Sequence, residues 1–334
     1  MIDRILQLRK SVSRDDRPED YVSLWFEDEP FKGGRERSMV LVLRTMGCFW
    51  FYKSGCTMCG YYNDTNPTKV NDHQLMEQVE KAKKKYKGEK IVKIYNSGSF
   101  FDSNEISEEA QNNILKSFSE SERIIVETRP EFVNAKLIER MSEFKEKLMV
   151  AIGLESSNDE VLEYSINKGF KSSTYERAAE LLFENNFSLK TYIILKPPFL
   201  SEKKSIEDAV KSIEFASKYS EIISLNPVNV QTNTIVEELW KKGYYRPPWL
   251  WSVVEVLKRT AYLKKVVSFP TAPGTRRGAH NCDKCDDEII RAIEDFSFSQ
   301  DINVLNSIND CNCKIDWKKI LEIEDLTFST IGDQ

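Results

Sequence analysis

Six short apolar runs, each followed by an amphipathic stretch, constrain this chain more than any other feature of its sequence. The runs fall at residues 39–43, 91–95, 124–127, 148–154, 189–195 and 222–225. Several are apolar without alternation, as expected of parallel strands covered on both faces. Helical spacing marks residues 71–86, 104–118, 131–144, 173–185, 201–218 and 232–242. Asn71, Asn104 and Ser201 stand where N-caps belong, although Lys204 occupies the place where a full capping box would put Glu or Gln. Six β-α units in series imply a parallel barrel or a doubly wound sheet.

The chain divides into a lead-in segment (1–37), the β-α series (38–270) and a C-terminal cysteine-bearing module (271–334). The lead-in offers a helix from Asp3 to Ser11, a loop at 13–18 and Gly33-Gly34 just before the first strand, with no chemistry evident. No run approaches 18 apolar residues and no apolar signal core opens the chain, so a cytoplasmic location with no membrane contact is expected. A net charge of −5 gives no global case for nucleic acid. Local basic stretches occur at 81–87, Lys258-Arg259, Lys264-Lys265, Arg276-Arg277, and Lys314 with Lys318-Lys319. On helices such runs are ordinarily solvated faces.

Seven cysteines fall into two clusters, Cys48/Cys56/Cys59 and Cys282/Cys285/Cys311/Cys313. Clustering in a large chain of this kind argues for metal rather than disulfides. Three thiolates leave an iron–sulfur cube one ligand short, and an open iron is a place for chemistry. Zinc competes for this loop, but a structural zinc wants four ligands and no fourth Cys or His lies near; His73 sits in a helical pattern. The C-terminal CxxC and CxC, about 25 residues apart, supply four thiolates and suit a closed structural zinc site, with a second iron–sulfur cluster as the alternative.

In a parallel barrel the active site lies at the C-terminal ends of the strands. Those ends here deliver Cys48, Asn96-Ser-Gly-Ser99, Glu127-Thr-Arg-Pro130, Glu155-Ser-Ser157, Lys196-Pro-Pro198 and Asn226-Pro-Val-Asn-Val-Gln231. Each has a plainer reading: a helix-entry turn at 97–99, a Glu127–Arg129 ion pair, a capped turn at 226–231.

These residues resemble the radical S-adenosylmethionine (SAM) superfamily, more closely its Elongator-like branch. Cys48, Cys56 and Cys59 match the cluster motif, with a longer first gap than usual. Thr128-Arg-Pro130 resembles the branch's "ETRP" strand. Gly153-Leu-Glu-Ser156, with Val161-Leu162 and Asn167-Lys-Gly169, resembles a segment in which Glu155 replaces the usual Gln. Within the branch, Gly55-Cys-Thr-Met-Cys-Gly-Tyr61, Asn226-Pro-Val-Asn-Val-Gln231 and Tyr245-Arg-Pro-Pro-Trp-Leu-Trp-Ser252 are similar to archaeosine-synthase radical SAM subunits.

The resemblance implies a partial (β/α)6 radical SAM barrel with a small C-terminal zinc-binding extension. It implies a 4Fe–4S cluster on Cys48, Cys56 and Cys59, and a SAM site drawn from Met58, Ser97, Gly98, Ser99, Glu127, Arg129, Glu155 and Ser156. The implied reaction is that of a radical SAM C–N lyase of tRNA modification. It would cleave the lysine C–N bond of lysine-modified 7-cyano-7-deazaguanine in the tRNA D-arm, giving archaeosine. Implied partners are tRNA, a lysine-adding tRNA-guanine transglycosylase-like enzyme and an electron donor. Substrate contacts are expected from Asn226, Asn229, Gln231, Arg246, Trp249 and Trp251, although buried helix packing is the plainer reading of the tryptophans. Arg276, Arg277, His280, Lys314, Lys318 and Lys319 put positive charge beside Cys282, Cys285, Cys311 and Cys313, making that structural zinc module the expected tRNA contact. Two alternatives stand beside this reading: another Elongator-like tRNA-modifying radical enzyme, and a non-catalytic zinc-binding RNA module.

Overall fold

The computed structural model describes residues 1–263 and 265–327; Lys264 and the end of the C-terminal module lie outside them. Eight strands form one sheet in sequence order: β1 (Ser23–Phe31), β2 (Gly34–Val42), β3 (Ile91–Tyr95), β4 (Arg123–Thr128), β5 (Leu148–Glu155), β6 (Ser188–Leu195), β7 (Ile222–Pro227) and β8 (Lys265–Val267). The β1–β2 pair is antiparallel and every later pair is parallel. With β1 and β8 as edges, the sheet curls into an open half-barrel rather than closing.

The six expected strands are β2 to β7. The lead-in, however, contributes β1, joined to β2 by a two-residue turn in which Lys32 and Gly33 both have positive φ, 48° and 81°. That is the mirror-image turn whose twist suits a hairpin. Strand β1 places Glu29 inside the half-barrel, where Lys190 Nζ donates to it at 2.8 Å and Lys93 Nζ also donates. Burial works against its charge, but Lys190 and Lys93 hold the Glu29 carboxyl down at about 2. Charge compensated inside a barrel reads in sequence as a polar loop.

Twelve α-helices are present among the described residues: α1 (Ile2–Lys10), α2 (Phe49–Lys53), α3 (Asp72–Lys83), α4 (Glu108–Ser117), α5 (Ala135–Arg140), α6 (Ser172–Glu184), α7 (Glu202–Ala216), α8 (Ile235–Lys241), α9 (Leu250–Thr260), α10 (Asp286–Ser299), α11 (Ile302–Asn306) and α12 (Cys313–Thr327). Asn71 caps α3 in a complete capping box with Gln74, and Ser201 caps α7 by accepting from Lys204 N at 3.2 Å. Asn104 does not cap α4. Asp102 accepts from its backbone and side-chain nitrogens at 2.9 and 3.2 Å, holding it in a turn, and Ser107 caps instead. The expected helix at 131–144 is broken into α5 between two short 3₁₀ turns.

One hydrophobic core runs from the strands through α3, α4, α6, α7 and α9 into α10 and α12, taking in Leu41, Val92, Val150, Ile213, Leu257, Ile293 and Trp317. The cysteine-bearing segment therefore packs on the barrel wall as part of the same core. No helix is long and apolar enough to cross a membrane among the described residues.

Candidate active site and metal centre

Above the Glu29 network, the C-terminal strand ends surround a cavity of about 290 Å³. Cys48, Cys56 and Cys59 all line it, and none is in a disulfide. Their loop follows β2 and is fixed from four directions. Arg9 of α1 donates to Phe51 O and Ser54 O at 2.6 and 2.9 Å. Asn167 Nδ2 donates to Ser54 Oγ and Gly55 O, both at 2.6 Å. Thr57 N donates to Ile166 O at 2.9 Å, and Gly60 N donates to Gln231 Oε1 at 2.6 Å. Gly55 (φ 104°) is required here, since a Cβ would stand 1.9 Å from the Arg9 guanidinium. Arg9 was invisible in the sequence, where it sits in an unremarkable basic helix end; its burial beside the loop makes it part of the site.

The donor set fits an iron–sulfur cluster with an open corner. Burial pushes the Cys48 thiol up to about 11 and Cys59 up to about 12. Such buried thiols become thiolates when a metal takes the proton's place.

The glycine of the Ser97-Gly98-Ser99 turn has a second cause. Glu105, fully enclosed, accepts from Ser99 N at 2.9 Å, from Asn96 Nδ2 at 2.8 Å and from Thr45 Oγ1. A Cβ on Gly98 would stand 2.1 Å from that carboxylate. Glu105 is another residue that sequence reasoning missed, because it lies ahead of α4 rather than on a strand end.

Of the expected SAM residues, Met58, Ser97, Gly98, Glu127, Arg129 and Glu155 line the cavity. Ser99 and Ser156 do not: Ser99 Oγ accepts from Arg129 N at 3.2 Å, and Ser156 Oγ donates to Asp208 at 2.8 Å behind the wall. The Glu127–Arg129 ion pair does not form. Arg129 Nη2 donates to Glu131 at 2.6 Å and to Lys168 O at 3.0 Å, its guanidinium against the rings of Phe49, Trp50 and Phe170. Glu155 is gripped by Lys168 at 2.7 Å, next to a bulge in β5 where its own φ is 70°.

Of the expected substrate residues, Asn226, Asn229 and Gln231 line the cavity, while Arg246, Trp249 and Trp251 do not. Arg246 donates to His280 O at 2.7 Å and stacks on Trp249 at 4.1 Å. Trp249 N donates to Glu202 at 2.9 Å, and Trp251 Nε1 donates to Cys313 Sγ at 3.3 Å. These three serve the C-terminal centre. Alternating polar and aromatic residues look like a binding surface in sequence, and here they bind other parts of the chain.

At that centre the sulfurs of Cys282, Cys285, Cys311 and Cys313 all lie within 4.8 Å of one another, an arrangement able to hold a metal ion. The nearest pairs are 3.5, 3.6 and 3.8 Å apart. Besides Trp251, Asn281 Nδ2 donates to Cys285 Sγ at 3.6 Å. Of the basic groups around it, Arg277 is a latch: it donates to Val230 O at 2.8 Å and to Glu237 at 2.5 Å. Lys314 pairs with Asp310, and Lys319 with Asp316.

A half-barrel whose first parallel strand leads into three cysteines facing one cavity defines a class, and the family comparison agrees. The radical SAM superfamily pattern matches residues 43–219, and the chain belongs to that superfamily. The archaeosine synthase subunit beta of Methanosarcina acetivorans is 39% identical over 339 residues, covering 98% of this chain and 97% of that protein. The archaeosine synthase subunit beta of Thermococcus kodakarensis is 35% identical over 315 residues, covering 90% and 97%. Among solved structures, Methanocaldococcus infernus Elp3 is similar at 19% identity and TM-score 0.45, covering 63% of this chain and 54% of that one.

Proposed function

We propose that this radical SAM enzyme acts on tRNA, breaking the lysine C–N bond of lysine-modified 7-cyano-7-deazaguanine to leave the formamidine of archaeosine. The observation that carries this reading is the end-to-end match to two archaeosine synthase beta subunits, at 39% and 35% identity. A cavity walled by three thiols, two acids and two bases supports it.

Cys48, Cys56 and Cys59, which line the cavity together, would hold a 4Fe–4S cluster. When bound, the cluster and SAM would supply the radical chemistry that such a C–N cleavage needs. The polar groups of Ser97 and Gly98 meet the SAM amino group, and Arg129 offers its guanidinium to the carboxylate. Glu155, held by Lys168, meets the ribose, and Met58 packs on the adenine. Asn226, Asn229 and Gln231 face the substrate from the β7 side. The enclosing rings of Phe51, Trp50 and Tyr192 exclude water, which a carbon radical requires.

Cys282, Cys285, Cys311 and Cys313 hold a structural zinc. Four thiolates at about 2.3 Å from a tetrahedral zinc stand roughly 3.8 Å apart, close to the sulfur spacings here. Arg276 and Lys318 beside it contact tRNA phosphates, and a lysine-adding transglycosylase-like enzyme and an electron donor complete the system.

The test is anaerobic incubation with SAM, a reductant and lysine-modified tRNA. The expected products are 5′-deoxyadenosine and the formamidine base. Formation of 5′-deoxyadenosine with the lysine-modified base unchanged would overturn the substrate while keeping the family.

A further inference from the structure

We propose that the ring of Tyr61 is the platform on which the modified base of the tRNA stacks when it enters the cavity. This deepens the preceding reading and rests on its tRNA substrate.

Four aromatic side chains line the cavity, and three of them are engaged. Trp50 Nε1 donates to Asn167 O at 2.8 Å, and its ring has the Arg129 guanidinium over it and Phe49 edge-on. Phe51 is buried between Arg9 and Tyr62. Tyr192 shares its hydroxyl with Tyr95 and Glu127. Tyr61 differs: it is 55% exposed, and no ring or cation stands against it among the described residues.

That open surface belongs to the lumen rather than to the outside of the molecule. Burial raises the pKa of the Tyr61 phenol, and Glu127, Cys59 and Glu155 raise it further. The hydroxyl end is therefore within reach of charges on three walls while the ring face stays bare. The loop also holds the ring in place. Tyr61 opens a 3₁₀ turn (Tyr61–Asp64), and Gly60 N just before it donates to Gln231 Oε1 at 2.6 Å. The Gln231 side chain also hydrogen-bonds the Tyr61 hydroxyl, and Asn63 Nδ2 donates to Thr232 O at 3.1 Å. A ring fixed in this way loses little freedom when a ligand covers it.

A base must leave its stack to meet chemistry inside a closed cavity, and it forfeits contact with its neighbours. A bare aromatic face restores that contact. The adenine of SAM offers a π-face too, but position favours the tRNA base. Tyr61 is tied to Gln231 beyond β7, whereas Ser97, Gly98, Arg129 and Glu155 stand at the ends of β3, β4 and β5.

The experiment measures equilibrium binding to the cluster-loaded enzyme, wild type, Tyr61→Leu and Tyr61→Phe. The ligands are SAM, tRNA with the lysine-modified base, and the same tRNA made abasic at that nucleotide. Wild type should prefer the base-bearing tRNA. Y61L should lose about 5- to 100-fold of that preference, the range for one base on an aromatic side chain. Its SAM affinity should be kept, which also reports an intact cavity. Y61F keeps the ring and should keep the preference. Equal wild-type binding of the two tRNAs, or a Y61L variant with the wild-type preference, would overturn the proposal. So would loss of SAM affinity in Y61L, since the ring would then belong to adenine. Y61F as weak as Y61L would overturn it as well, by assigning the contact to the hydroxyl. Wild type that binds neither tRNA would instead sink the underlying tRNA reading, and this platform with it.

Discussion

Glu105 shows how a single buried acid governs the site it never faces. Burial raises its pKa from 4.5 to about 7, with Thr45, Ser99 and Asn96 opposing the rise. A carboxyl raised on folding favours the folded state fully below its unfolded pKa, and that advantage is lost as pH climbs through the folded value. Stability should therefore fall between about pH 4.5 and 7, by roughly 3 kcal/mol at about 1.4 kcal/mol per tenfold. Urea denaturation across that window should show Glu105→Gln with a flatter profile than wild type; an unchanged profile would contradict the assignment. Gly98→Ala drives a methyl group into the same carboxylate and should cost about 1–3 kcal/mol as overpacking, with loss of SAM binding, measured by denaturation and by SAM titration. Gly98 was expected at the SAM site, but its tight contact with a buried carboxylate was not readable, because nothing in a lone Glu ahead of a helix says that it props the preceding strand end.

At the scale of elements, α12 links the C-terminal centre to the barrel. It starts at Cys313 and ends at the β6–α7 corner. There Trp317 Nε1 donates to Ser252 Oγ at 2.8 Å, Glu202 N donates to Glu324 at 2.6 Å, and Ser201 Oγ donates to Asp325 at 2.8 Å. Glu202, almost wholly buried, pairs with Lys196 at 2.6 Å, and Tyr245 OH donates to Lys196 O at 2.7 Å. Stripping the metal should raise amide hydrogen exchange along α12 and at this corner while leaving β3 to β5 protected. Equal protection with and without metal would contradict the linkage. Glu202→Ala leaves the Lys196 ammonium only Glu324, at 3.5 Å, orphans the Trp249 N and Ser252 Oγ donors, and should cost about 3 kcal/mol by denaturation. Strands β2 to β7 were legible because each carries a short, mostly apolar run, several of them without alternation. Strand β1 was not, because Glu27-Asp-Glu-Pro30 hides a half-buried strand behind charges whose partners, Lys93 and Lys190, are distant in sequence. Cysteine arithmetic marked both clusters, one lining the cavity and one able to hold a metal ion, but the Tyr245–Ser252 motif lies away from the cavity: Trp251 donates to Cys313 Sγ and the Trp249 ring stacks on Arg246.

For the whole molecule, a net charge of −5 must be reconciled with a polyanionic substrate. Arg277 is committed to Glu237, so reversing its charge would unlatch the loop as well as remove a cation. Arg276 is exposed, and neither it nor Lys318 forms an ion pair among the described residues. Replacing both by Glu should weaken tRNA binding and shallow its salt dependence by about two phosphate contacts, without altering SAM binding. An unchanged salt slope would remove this face from the interface. The central claim joins the three-cysteine cavity and the lysyl substituent in one reaction. The most direct measurement supplies tRNA whose lysyl chain is fully deuterated on carbon and weighs the 5′-deoxyadenosine formed in a single anaerobic turnover. The account predicts product one mass unit heavier than that from unlabelled tRNA, together with the formamidine base. Light 5′-deoxyadenosine alongside the converted base would contradict it.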